Sequence, residues 1–205
     1  MPSYLSLLET LDAWFAQGQE LAGAGVIPCK RSCSACCHGV FDISPADARL
    51  VKKGLSSVSP EVAVALRAKA ADQLSQYAEL LPDWRSPWDV DSLPEELFDE
   101  LTERLAAAPC PALSADGSCA IYAHRPATCR MTGLAMDAGE AGRLDNECPI
   151  QEEFPGYSDL APVPFALMHF EELAEQHDEQ GRAQGACSTT VAGALSAAGA
   201  EDPCP

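Results

Sequence analysis

The stretch from Ser59-Pro60-Glu61-Val62 to Leu81-Pro82 decides the fold class. Within it Val62, Leu66, Ala70, Leu74, Tyr77 and Leu81 recur at steps of three and four, the period of an amphipathic α-helix. Ser59 offers an N-cap acceptor, Pro60 the fixed φ of a first helical position, and Glu61 a negative charge where the helix dipole is positive. Pro82 lacks the N–H that would continue the ladder and stops it. Upstream, Ser44-Pro45-Ala46-Asp47 repeats the same signal and predicts a short helix to about Gly54. Further out, Tyr4, Leu8, Leu11, Phe15 and Ala22 predict another helix, ended by Gly23-Ala24-Gly25. Downstream, a helix from Pro94 turns Leu97, Leu101 and Leu105 inward and closes at Pro109, and a last one from Pro164 uses Phe165, Leu167, Met168 and Leu173. Asp83 to Asp91, with Trp84, Pro87 and Trp88, has no period and reads as a packed loop.

The expected fold is therefore mostly α: one helical domain over residues 1–180, with an irregular cysteine-bearing segment between the helices. Around Asp116-Gly117, flanked by Cys110-Pro111 and Ser118-Cys119-Ala120-Ile121-Tyr122, that segment predicts a short hairpin. Residues 181–205 turn to Gly, Ala, Ser and Gln and predict a disordered tail.

The 205 residues carry 13 Lys+Arg against 31 Asp+Glu, a net charge of −18. A field of that sign repels phosphate backbones and anionic lipid, so neither nucleic acid nor a membrane surface is an expected partner. Glu9 and Asp12 interrupt the amino-terminal segment where a signal peptide would be apolar. No run approaches the roughly 18 apolar residues of a bilayer span. A cytoplasmic location is the expectation, and there thiols stay reduced, so ten cysteines point to metal ligands or redox groups rather than disulfides.

Cys29, Cys33, Cys36 and Cys37 form C-x3-C-x2-C-C. On a helix the four would fall within about 100° of arc, one face of sulfurs, with Gly39 placed to end it. Lys30 and Arg31 would favour the thiolate. Soft thiolates converging on one point suit Zn²⁺ or an iron–sulfur centre. Cys110, Cys119, Cys129 and Cys148 form a second group on the hairpin and the loops after it. Eight thiols allow two four-sulfur sites, or one site drawing on both groups with structural thiols left over. His38, His124, His169 and His177 could ligate in principle; sulfur suffices without them, and His38, next to the cysteine pair, has the strongest claim. Asp42, Asp116 and Asp145 read as turn and cap residues.

The segment Cys119-Ala-Ile-Tyr122-Ala-His-Arg125-Pro126-Ala-Thr-Cys129-Arg130, taken with the upstream cysteines and Cys110-Pro111, resembles the bacterial YkgJ-type cysteine-cluster family, a zinc- or iron-chelating domain. The resemblance spans Cys29 to Cys148. It implies metal binding by all eight cysteines, supported by Tyr122, Arg125, Pro126 and Arg130. Arg125 and Arg130 would stand behind the sulfurs, donating hydrogen bonds to thiolates or carbonyls and offsetting negative charge. Pro126 would fix the turn returning Cys129, and Tyr122 would pack with its hydroxyl partnered. Cys187 and Cys204 fall outside the resemblance and read as exposed oxidation sites.

Two classes of function follow. One is a non-enzymatic metalloprotein that holds a metal or cluster, or passes electrons; a [4Fe–4S] cluster is favoured by a narrow margin over Zn²⁺, because thiols beyond four have a tuning role around iron. The other is an iron–sulfur methyltransferase, since the same domain occurs in proteins resembling the flagellin lysine methylase, whose chemistry uses S-adenosylmethionine. Cys29-x3-Cys33-x2-Cys36 has the radical-SAM spacing, yet the chain lacks the repeated βα units of that barrel, and the non-enzymatic reading is preferred. A scaffold held by disulfides would need export. With little regular structure of their own, segments 23–43 and 110–150 are expected to fold as they bind metal.

Overall fold

A computed structural model of the chain describes residues 2–30 and 32–196. The two serine caps form as read, Ser44 accepting from Asp47 N (3.2 Å) and Ser59 from Val62 N (3.4 Å), and Ser3, not singled out in the sequence, caps the first helix by accepting from Ser6 N (3.1 Å). They open α1 (Tyr4–Ala22), α2 (Pro45–Ser57) and α3 (Pro60–Leu80). Between the first two lies β1 (Asp42–Ile43). There follow α4 (Glu95–Arg104), α5 (Ala127–Met131), β2 (Met136–Asp137), β3 (Arg143–Leu144), β4 (Val163–Pro164), α6 (Leu167–Arg182), β5 (Thr189–Thr190) and α7 (Val191–Ser196). The fold is mostly α, and its strands are two-residue clasps.

Two apolar cores share the interior. The first joins α3, α7 and part of α2 with Trp84 and Leu101. Here Trp84 stacks on Tyr77 with centroids 5.6 Å apart, which makes the 83–91 segment the packed loop expected. The second joins α1, α6 and the β2–β4 sheet through Leu8, Leu11, Met136, Tyr157 and Phe170. α2 contacts α6 on one side and α7 on the other, so it belongs to both.

Several expectations need correction. Residues 183–196 are not a disordered tail. β5 pairs antiparallel with β1, Asp42 opposite Thr190, and α7 buries Val191, Ala192, Ala194 and Leu195. Alanine and glycine there are small enough to pack closely against α3, so low complexity in this stretch reflects tight packing. Residues 197–205, with Cys204, lie outside the described residues. The last long helix starts at Leu167, because the 163–165 backbone is used elsewhere: Val163 N donates to Ala135 O and Phe165 N to Asp137 O, parallel to β2. Val62, Leu97 and Met168, assigned inward, are exposed. The hairpin around Gly117 is present in reduced form, a single Leu113–Cys119 bridge closed by Ser114 N→Ser118 O (2.7 Å).

Candidate metal centre

The segment bearing Cys29, Cys33, Cys36 and Cys37 is not the helix its spacing suggested. Ser32 adopts φ +67°, a left-handed value that breaks a helical run, and the chain advances through two tight turns, Cys33 N→Lys30 O and Cys37 N→Ser34 O, both 2.9 Å. Its next backbone groups are spent on another segment: Cys110 N donates to Cys37 O (2.9 Å), Gly39 N to Ala108 O (2.8 Å), and His38 bridges Pro109. An i→i−4 ladder would have had to compete with that pairing. The outcome is a stitch between 37–39 and 108–110 that carries Cys36 and Cys37 to Cys110.

Cys119 returns to the same place on the far arm of the hairpin, where Ala120 N donates to Ala112 O (2.9 Å). Cys129 arrives on α5, whose first amide, Ala127 N, donates to both carboxylate oxygens of Asp47 (3.2 Å each). Pro126, at the N-cap position of α5, makes the turn before Cys129. The sulfurs then sort differently from their order in sequence. Cys129 feels the charges of Cys110, Cys119 and Cys36, while Cys110 feels those of Cys119 and Cys36. Cys29 instead feels Cys148, Cys33 and Cys36. Cys148 has left its sequence neighbours to join Cys29, and Cys36, hydrogen-bonded to Cys37, stands between the two sets. Cys110 and Cys119 pack against the first core, and Cys29 and Cys148 belong to the second, so these four thiols mark a seam between the cores.

Burial and neighbouring sulfurs favour the protonated form of Cys29, Cys36, Cys110, Cys119 and Cys129. Burial first, then the neighbouring sulfurs, push Cys29 up to about 11, and burial pushes Cys110 to about the same value. Cys129 is driven well upward by burial, and Cys36 by its bond to Cys37. Arg125 pulls Cys36 and Cys119 the other way without reversing either shift. Lys30, expected to favour thiolate, is exposed and is not among the causes, and Arg31 lies outside the described residues.

Among the described residues no three His, Cys, Asp or Glu side chains stand at ligating distance of one point. In kind the donors fit a soft cation: eight thiols, none in a disulfide, and a cation would supply the positive charge that turns them to thiolates. Cys29, Cys33, Cys148 and Cys36, Cys110, Cys119, Cys129 would hold it, with Cys37 beside them.

The arginines have other partners than sulfur. Arg130 is 3% exposed. It grips Asp12 of α1 through Nη1, Arg125 O through Nε (3.2 Å) and Ala123 O through Nη2 (3.1 Å). Arg125 donates to the other oxygen of Asp12 (2.5 Å) and to Tyr122 O (3.2 Å). Together they fasten the 122–131 loop to α1. Tyr122 is 62% exposed rather than packed, its ring 4.1 Å beneath the Arg125 guanidinium. His38 and His169 are exposed, His169 facing Glu172; His124 lies against Gly54 of α2; His177 is buried beside the Tyr4 ring. Asp116 accepts from Ser118 N in the hairpin turn, and Asp145 pairs with Arg143. Cys187, expected to be exposed, is half-buried and disulfide-bonded.

Three residues of the site had no motif to announce them. Asp12 entered the sequence reading only as a charge interrupting the amino-terminal segment. Asp47 read as a first-turn acid, and it is 3% exposed. Tyr157, 1% exposed, places its hydroxyl against Cys29 and Cys148.

Comparison with known proteins returned one family model, "CxxCxxCC: Putative zinc- or iron-chelating domain", matching residues 28–149. No match was found among curated proteins or among solved structures. Among the described residues no helix is long and apolar enough to cross a membrane. The matched span holds every thiol of the seam and covers more than half of the sequence, and the chain belongs to this family of metal-chelating CxxCxxCC domains.

Proposed function

We propose that this protein is a non-enzymatic metal- or cluster-holding domain whose thiols bind an iron–sulfur cluster, in preference to zinc, for storage, delivery or electron transfer. The observation that carries the reading is the regrouping of the cysteines at the seam of the two cores. Cys110, Cys119 and Cys36 are the sulfurs whose charges act on Cys129, an electrostatic neighbourhood of four, the number that one [4Fe–4S] cluster or one structural zinc requires. Cys29, Cys33 and Cys148 lie beyond it, linked through Cys36. Zinc in a closed site leaves such a flank idle, whereas sulfur and phenol groups around an iron–sulfur centre set its potential and solvent access, which is the support for iron. The remaining groups around the seam are committed to structure: Arg130 and Arg125 to Asp12, Asp47 to α5.

Anaerobic purification of untagged protein, with iron, zinc and acid-labile sulfide counted per chain beside the visible spectrum, tests this. Iron with matching sulfide and a brown colour is the expected result. Colourless protein with zinc and no sulfide overturns the choice of iron. Co-purification of S-adenosylmethionine overturns the non-enzymatic role. Replacing Cys119 by Ser is expected to remove most of the metal.

A further inference from the structure

Tyr157 lies outside the matched residues 28–149, nine positions past Cys148 in the sequence. Its ring is part of the second core, held among α1 and the β2–β4 sheet. Its hydroxyl donates to Gly133 O, and the side chains of Cys29 and Cys148 are its neighbours at that glycine. Gly133 explains how these groups meet. At φ +101°, its missing Cβ would stand 2.9 Å from the phenol oxygen, 3.8 Å from Cys29 Sγ and 3.8 Å from Cys148 Cβ. The space left by that hydrogen is where phenol and cysteines converge.

A phenol has one proton to donate and lone pairs with which to accept. Beside neutral thiols, Tyr157 can donate to Gly133 O while accepting from S–H. A metal-bound thiolate has no proton to give and is the stronger acceptor, so rotation about the C–O bond redirects the phenol proton to sulfur.

We propose that Tyr157, brought beside Cys29 and Cys148 at Gly133, is a positioning residue for the metal centre, holding one of those two sulfurs by donating its single hydroxyl hydrogen bond to it when that sulfur ligates a metal. The proposal rests on the thiolate reading above and adds to it a residue outside the family span. A hydrogen bond to a ligating sulfur lowers the energy of its lone pairs, which moves sulfur-to-metal charge transfer to higher energy and strengthens binding by fixing the ligand.

Cobalt(II), loaded anaerobically into the full chain, provides the readout. Tyr157→Phe keeps the ring and its packing. It is expected to retain the far-UV spectrum and the number of bound cobalt ions, to shift the charge-transfer band to lower energy, and to weaken cobalt binding about tenfold in competition with a chelator. Incorporating 3-fluorotyrosine, a stronger donor, is expected to move the band the other way. In a Cys29→Ser, Cys148→Ser background the effect of Tyr157→Phe is expected to vanish. A Tyr157→Phe protein with the wild-type band and affinity overturns the assignment of Tyr157 alone, as does a shift that survives loss of both cysteines. A wild type that takes up no cobalt overturns the thiolate reading and this proposal with it.

Discussion

Arg130 is the most heavily committed side chain near the sulfurs, with a carboxylate and two carbonyls as partners and almost no water. Removing one partner of such a group costs more than the pair contributes, because a desolvated charge is left behind. Asp12→Asn is therefore expected to destabilise the protein by about 3 kcal/mol in urea denaturation. Arg104→Gln, which breaks an exposed pair with Glu100, is expected to cost no more than about 0.5 kcal/mol. Asp47 makes the opposite kind of statement. Burial raises it from 3.8 to about 6, against the opposing hydrogen bonds from Tyr4 and Ala127. Between those values the folded state holds a proton that the unfolded chain has released, so stability falls as pH rises from about 4 to 6 and is level above. Relative to wild type, Asp47→Asn is expected to gain about 3 kcal/mol across that window. Denaturation midpoints of both proteins at matched pH values check the sign, and a flat difference refutes it.

At the scale of elements, local signals were legible wherever the physics is local. Serine caps, a proline at the first turn and apolar steps of three and four needed nothing beyond neighbouring residues, and α1, α2 and α3 follow them closely. The cysteine segment misled because its spacing satisfies a helix and a pair of turns equally well; the decision lay with residues 108–110, some seventy positions away. The regrouping of Cys148 with Cys29 was illegible for the same reason, since it depends on Gly133 and Tyr157 coming together. α7 was missed because its composition resembles that of a linker, and only packing against α3 distinguishes the two. Leu195 is fully buried. Leu195→Ala is expected to cost about 2–5 kcal/mol by chemical denaturation, where truncation in an unstructured tail would cost nothing.

For the whole molecule, the thiols sit where two cores meet, and a ligand there couples both halves. On the proposed reading a metal binds the folded arrangement of thiols more tightly than the unfolded chain, so the difference in affinity adds to stability by mass action. Chelation or cluster loss is expected to lower the melting temperature and to open residues 23–43 and 110–150 to protease, while α3 stays protected. Digestion patterns unchanged by metal removal would refute this. The acidic excess acts on the same scale: at −18 the chain repels itself, and raising salt is expected to stabilise the metal-free form.

The late position of β5 and α7 has a consequence for synthesis. Translation reaches Cys29, Cys110, Cys119, Cys129 and Cys148 before it reaches Thr189–Ser196, the segment that pairs with β1 and seals α3. At roughly 5–20 residues per second, the interval between Cys148 and Ser196 lasts about 2–10 s. During it the nascent chain carries every sulfur of the site without the completed frame around them.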